Sequence, residues 1–111
     1  MLKAFRGLNW DGLAHQISRD GYAVTEPFLS PEDCAKLQNL YGDPECRFRS
    51  VVNMARHNFG RGEYKYFDYP LPAPVAHMRQ FAYEKLAGVA NEWQELLSSD
   101  TRWPSSLEEL T

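Results

Sequence analysis

From about residue 74 to residue 97, apolar side chains recur every three or four positions: Val75, Met78, Ala82, Leu86, Val89, Trp93 and Leu96. That spacing predicts one long helix with a buried face. Phe81, Ala90 and Leu97 widen the stripe, and a face this broad needs a sheet or several helices to cover it. Gly88 lies inside the stripe. A glycine there costs about 1 kcal/mol relative to alanine, which points to a close packing contact at that position. Pro70, Pro72 and Pro74 separate this helix from what precedes it.

The rest of the chain supplies candidate covers. Asn9 can cap a helix over about 9–19, with Trp10, Leu13, Ala14 and Ile17 on one side and Asp20-Gly21 as its end. Tyr22 to Thr25 is rich in β-formers and reads as a strand over about 22–25, limited by Pro27. Ser30-Pro31-Glu32-Asp33 starts a helix over about 31–41: serine caps, proline takes the first turn, and the acids meet the positive end of the dipole. Its inward stripe would be Cys34, Leu37, Leu40 and Tyr41, making Cys34 a core residue. Strands are expected at about 48–54 and 63–69. In the second, Tyr64 and Tyr66 share one face while Glu63, Lys65, Phe67 and Tyr69 share the other. The connection between them, through Gly60-Arg61-Gly62, suits an antiparallel pair with a functional loop. The expected fold class is therefore α+β, with several helices packed on a small antiparallel sheet in one domain spanning 1–111. Ser105 with Glu108, or Ser106 with Glu109, offers a capping box for a last helix that has little more than one turn of sequence behind it. A start signal of that kind predicts a chain cut from something longer, and so an incomplete domain.

Charge is unevenly spread. The 111 residues carry a formal net charge of -3. Between Arg47 and Tyr66, however, five cations (Arg47, Arg49, Arg56, Arg61, Lys65) face one anion (Glu63), giving +4 and leaving -7 for the remainder. Two cysteines, Cys34 and Cys46, make neither a disulfide framework nor a zinc motif. No signal-like apolar leader and no run near the ~20 apolar residues of a membrane span is present, so a cytoplasmic protein is expected.

His15, His57 and His77 belong to no H-x-D, H-x-H or H-E-x-x-H pattern, and no phosphate-binding glycine motif occurs. The polar cluster with chemical potential is Arg56, His57, Arg61, Tyr64, Lys65 and Tyr66. Arginine donates to carboxylate or phosphate and tyrosine adds a ring and a hydroxyl, so these residues could bind an anion or face a substrate. They could equally be an exposed sheet face with long cations lying over aromatics. The acidic remainder, with no RNP-like or helix-turn-helix signal, argues against nucleic acid as the partner.

The string FRSVVNMARHNFGRGEYKYFDYPLP, followed by LAGVANEW in the long helix and preceded by GYAVTEPFLSPEDCAKLQNLY, resembles the N-terminal region of bacterial 2-oxoglutarate- and Fe(II)-dependent oxygenases of the prolyl-hydroxylase-like type. The resemblance covers roughly Trp10 to Leu97. It implies helices and first strands flanking a double-stranded β-helix. In such enzymes that catalytic half follows, holding an H-x-D, a distal histidine and a basic residue for 2-oxoglutarate. No H-x-D occurs here, so no iron or co-substrate ligand transfers to a numbered residue. The resemblance thus implies a part that is structural and inactive alone, with Fe(II) and 2-oxoglutarate belonging to the full-length family. Its partner would be the catalytic half, or another copy of itself through an exposed apolar face. The alternative is a stand-alone binding module that uses the Arg56 to Tyr66 strand-loop for an anionic partner.

Overall fold

The computed structural model describes every residue except Phe59, and describes His57 by its backbone alone. Among the described residues, five helices and one two-stranded antiparallel sheet give an α+β chain.

The helices gather around an aromatic nucleus. α1 (Leu2–Arg6) carries Phe5, whose ring meets Trp10 at 5.1 Å, Phe28 at 5.2 Å and Phe81 at 6.0 Å between centroids. Trp10 opens α2 (Trp10–Asp20), and its indole N–H donates to the Phe5 carbonyl at 3.0 Å. Phe81 belongs to α4 (Ala73–Leu96), so three helices meet at these rings. Edge-on aromatic pairs at such distances contribute about 0.5–1.5 kcal/mol each beyond the area they cover. Sequence periodicity did not reveal α1, because five residues are too few to show a repeat.

Local signals account for where the helices begin and end. The Asn9 side chain accepts from Gly12 N–H at the start of α2, and Gly21 ends it in the left-handed conformation, φ 84°. α3 (Pro31–Asn39) starts with a reciprocal capping box between Ser30 and Asp33. The Asp33 carboxylate is held below the usual aspartate range, chiefly by the backbone N–H of Ser30. At the other end of the chain, α5 (Leu107–Leu110) is capped by Ser106, which accepts from Glu109 N–H at 3.3 Å. The segment between α4 and α5 is tied back to α4. Asn91 both donates to the Trp103 carbonyl (3.0 Å) and accepts from the Trp103 N–H (2.7 Å), and Tyr83 donates to the Pro104 carbonyl at 2.7 Å.

The sheet pairs β1 (Phe48–Asn53) with β2 (Glu63–Phe67), with a register shift between Phe48 and Ser50 that leaves Arg49 on a bulge. A 3₁₀ turn, Met54–His57, follows β1, and the Met54 N–H donates to the Gly62 carbonyl at 2.9 Å to close the connection. Where a strand was expected at 22–25, no ladder forms. Residues 22–28 run without turn or bend, and among the described residues none of their backbone groups has a hydrogen-bond partner. A strand needs a neighbour, and among the described residues none lies alongside this segment.

Two packing expectations are corrected. Cys34 is exposed, and α3 contains no buried residue: among the described residues its apolar side is only partly covered, with Leu37 half-buried. A Cβ built at Gly88 would meet nothing within 4 Å, so the glycine marks an open surface rather than a close contact. Burial is sparse throughout: Phe5, Leu8, Ala87 and Val89 form the buried apolar core, while Leu96 is 82% and Leu97 75% exposed. The broad stripe of α4 is therefore only partly covered. The chain exposes 8528 Å², where a compact protein of its 12.8 kDa mass exposes about 6,300 Å². Its radius of gyration, 16.9 Å, exceeds the ~13 Å of a compact chain of about this length.

Candidate functional site: the hairpin surface

Of the six residues singled out by sequence, the five whose side chains are described fall on three different surfaces. Tyr64 and Tyr66 lie on one face of β2, 43% and 47% exposed, with ring centroids 5.6 Å apart and nearly perpendicular. Register places Ser50 opposite Tyr66 and Val52 opposite Tyr64. The bulge brings the Arg49 guanidinium to 5.1 Å from the centre of the Tyr66 ring. Arg49 was part of the basic island but not of the candidate cluster. A one-residue register shift cannot be read from alternation, so sequence gave no sign that it would join the tyrosines.

Lys65 points the other way. Its ammonium donates to the Tyr41 carbonyl at 2.8 Å and sits 4.1 Å from the Tyr41 ring centre and 4.8 Å from that of Phe48. Tyr41 in turn donates from its hydroxyl to Glu63 at 2.6 Å, which raises the tyrosine pKa above its ordinary value. The neutral phenol is the donor, so the hydrogen bond to Glu63 favours it. Phe48 stacks on Phe67 at 5.6 Å. Lys65, Glu63 and Tyr41 therefore latch the hairpin to the turn that follows α3.

Arg56 is exposed on the 3₁₀ turn, and Arg61 is exposed between Gly60 and Gly62, whose φ angles are 96° and 130°. Among the described residues neither arginine has a carboxylate within ion-pair distance. The side chain of His57 lies outside the described residues. What the structure assembles is a shallow face of Arg49, Tyr66 and Tyr64 beside a loop carrying two arginines. Such a surface can stack on a planar group and donate to an anion. Among the described side chains of this surface, no hydrogen bond joins a general base to a nucleophile.

Among the described residues no group of three or more His, Cys, Asp or Glu is placed to bind a metal ion. His15 and His77 lie on different helices, α2 and α4, and the 2-His-1-carboxylate set that an Fe(II) oxygenase requires is not met by the described side chains. The described side chains do not fit the iron that the resemblance implies. No helix among the described residues is long and apolar enough to cross a membrane.

These features define an α+β chain whose hairpin is presented rather than enclosed and whose long helix is half covered. Comparison with known families adds the chemical context. Residues 62–111, 50 of the 111, match the model of a family described as "Oxygenase, catalysing oxidative methylation of damaged DNA". The matched segment takes in β2, α4, the Asn91-anchored connection and α5. No curated protein and no solved structure matches the chain.

Proposed function

We propose that residues 1–111 form the N-terminal, non-catalytic portion of a 2-oxoglutarate- and Fe(II)-dependent oxygenase. They would buttress a catalytic double-stranded β-helix that lies outside these residues. The observation that carries this reading is the coincidence of an oxygenase-family match over β2 and α4 with a large uncovered surface on those same elements. The excess over a compact chain, roughly 2,200 Å² summed over the whole chain, exceeds the ~800 Å² that each partner gives to a stable interface, and Tyr64, Tyr66, Trp93 and Leu96 are among its exposed side chains. Iron and 2-oxoglutarate would be held by the catalytic portion, since the described side chains offer no ligand set. The role of this chain is then mechanical: α4 supports a sheet, and the Arg49–Tyr66 face with the Arg61 loop stands at the mouth of the neighbouring site.

The test is sedimentation and hydrophobic-dye binding of residues 1–111, alone and with the catalytic portion added. The expected result is dye binding and self-association alone, both suppressed when the catalytic portion is present. A monomer that binds no dye and ignores the catalytic portion overturns the proposal.

The family's printed description favours a second reading of the hairpin, as a contact for the phosphates and bases of a nucleic-acid substrate. Arg49, Arg56 and Arg61 supply charge, and Tyr64 and Tyr66 supply faces for stacking. On this reading Arg56→Ala with Arg61→Ala weakens capture of a single-stranded oligonucleotide and flattens its salt dependence, with no change in melting temperature. Capture that survives the double substitution removes the reading.

A further inference from the structure

Between Arg47 and Tyr66 the chain carries five cations and one anion, Glu63. That carboxylate is well placed to spoil the hairpin's attraction for an anionic ligand. Arg61 and Glu63 flank Gly62, so their Cα atoms are at most about 7 Å apart, a span that two long side chains can close. Yet among the described residues Arg61 has no carboxylate within ion-pair distance. Glu63 Oε1 instead accepts a hydrogen bond from the Tyr41 hydroxyl at 2.6 Å.

The surroundings fix that arrangement. Alternation along β2 puts Glu63 on the Lys65 face, away from Tyr64 and Tyr66. Tyr41 stands on that side, with the Lys65 ammonium bonded to its carbonyl at 2.8 Å and lying 4.1 Å from its ring centre. Those contacts engage the ammonium, and among the described residues Lys65 makes no ion pair with Glu63. The partner of Glu63 is thus a neutral hydroxyl, and its charge is turned from the loop that carries Arg61.

We propose that Tyr41 is a positioning residue for the anion-binding face: its hydroxyl holds the Glu63 carboxylate on the far side of the hairpin and keeps it off Arg61. Without the hydroxyl, Glu63 turns to Arg61 and competes with the ligand for the guanidinium. The ligand is a phosphodiester of single-stranded nucleic acid, which rests on the second reading above. A single strand fits better than a duplex, because its unpaired bases can stack on the exposed rings of Tyr64 and Tyr66.

The test is a double-mutant cycle on residues 1–111: wild type, Tyr41→Phe, Glu63→Gln and the two combined. Phenylalanine keeps the ring and carbonyl that hold Lys65 and removes the hydroxyl alone. One readout is binding, at low salt, of a fluorescent oligothymidylate about ten nucleotides long. The other is the NMR signal of the Arg61 Nε–H. Tyr41→Phe is expected to bind about two- to fivefold more weakly, as competition from one exposed ion pair allows, while its Arg61 signal shifts and exchanges more slowly. With Glu63→Gln in place, Tyr41→Phe is expected to change neither. Equal binding by wild type and Tyr41→Phe overturns the proposal. So does a loss that Glu63→Gln does not rescue, because a merely structural tyrosine acts without the carboxylate. No binding by wild type overturns the nucleic-acid reading, and the Arg61 signal then decides where Glu63 is held. A shift in Tyr41→Phe that vanishes with Glu63→Gln supports the hold, and an unmoved signal overturns it. Should Tyr41→Phe lose its hairpin resonances, Glu63→Asp takes its place with the same expectation, since it keeps the charge and withdraws it from the hydroxyl.

Discussion

Gly88→Ala separates an open surface from a packed one. Gly88 sits in the interior of α4, eight residues before its last helical residue, and its neighbours Ala87 and Val89 are both buried. An added Cβ meets nothing within 4 Å and the position is exposed, so alanine brings no clash. What remains is helix propensity, about 0.8–1.0 kcal/mol in favour of alanine. For a chain of this size that corresponds to a rise in melting temperature of roughly 4–6 °C. Thermal unfolding followed by circular dichroism at 222 nm measures it on residues 1–111 alone. Gly88 lines an open groove with Ala14 and Val89, and a fall in melting temperature would mean that Gly88 touches something and would refute that openness. The same substitution has a second use. If the groove is covered in the assembled protein, the gain seen in the isolated chain shrinks or reverses when the catalytic portion is bound.

Other expectations follow from named contacts. Asn91→Ala removes both hydrogen bonds to the Trp103 backbone, worth about 1–2 kcal/mol together. The Trp103 amide should then exchange roughly tenfold faster or more, with α2 unaffected; unchanged exchange would show that the clamp holds nothing. Because its pKa is raised, Tyr41 contributes its bond to Glu63 at neutral pH and loses it as pH climbs through the raised value. In an NMR titration Tyr41 should ionise later than the ordinary value near 10, and Glu63→Ala should move it back towards that value; equal titration in both proteins contradicts the latch. Asp33 has the opposite sign. Its lowered pKa makes the α3 cap stabilising above the ordinary aspartate range, and the cap is lost as pH falls through the depressed value. Amides at the start of α3 should lose protection on acidification, and Asp33→Asn should remove that pH dependence.

The parts of this fold that sequence made legible are those governed by a few adjacent residues. Ser30 with Asp33, Asn9 with Gly12, Ser106 with Glu109 and the left-handed Gly21 are local devices, and each is seen in place. The two faces of β2 are likewise separated as alternation implied, with Tyr64 and Tyr66 apart from Lys65. Readings that depended on a distant neighbour fared differently. Cys34, Gly88 and the 22–25 segment were assigned partners because their patterns call for them, yet the described chain offers none. A hydrophobic pattern states that a face is to be covered, and it does not say by which polypeptide. The candidate site shows the same division. Alternation put the tyrosines together, whereas the Arg49 bulge and the Lys65–Tyr41 latch depend on register and on a turn twenty-odd residues away in sequence.

On the proposed function, residues 1–111 serve an oxygenase without performing its chemistry. The direct measurement is succinate formation from 2-oxoglutarate by the purified chain in aerobic buffer with added Fe(II). The account predicts no turnover above that of Fe(II) alone, and no Fe(II) retained after desalting. Iron retained in proportion to protein, with turnover that scales with the chain, would contradict it.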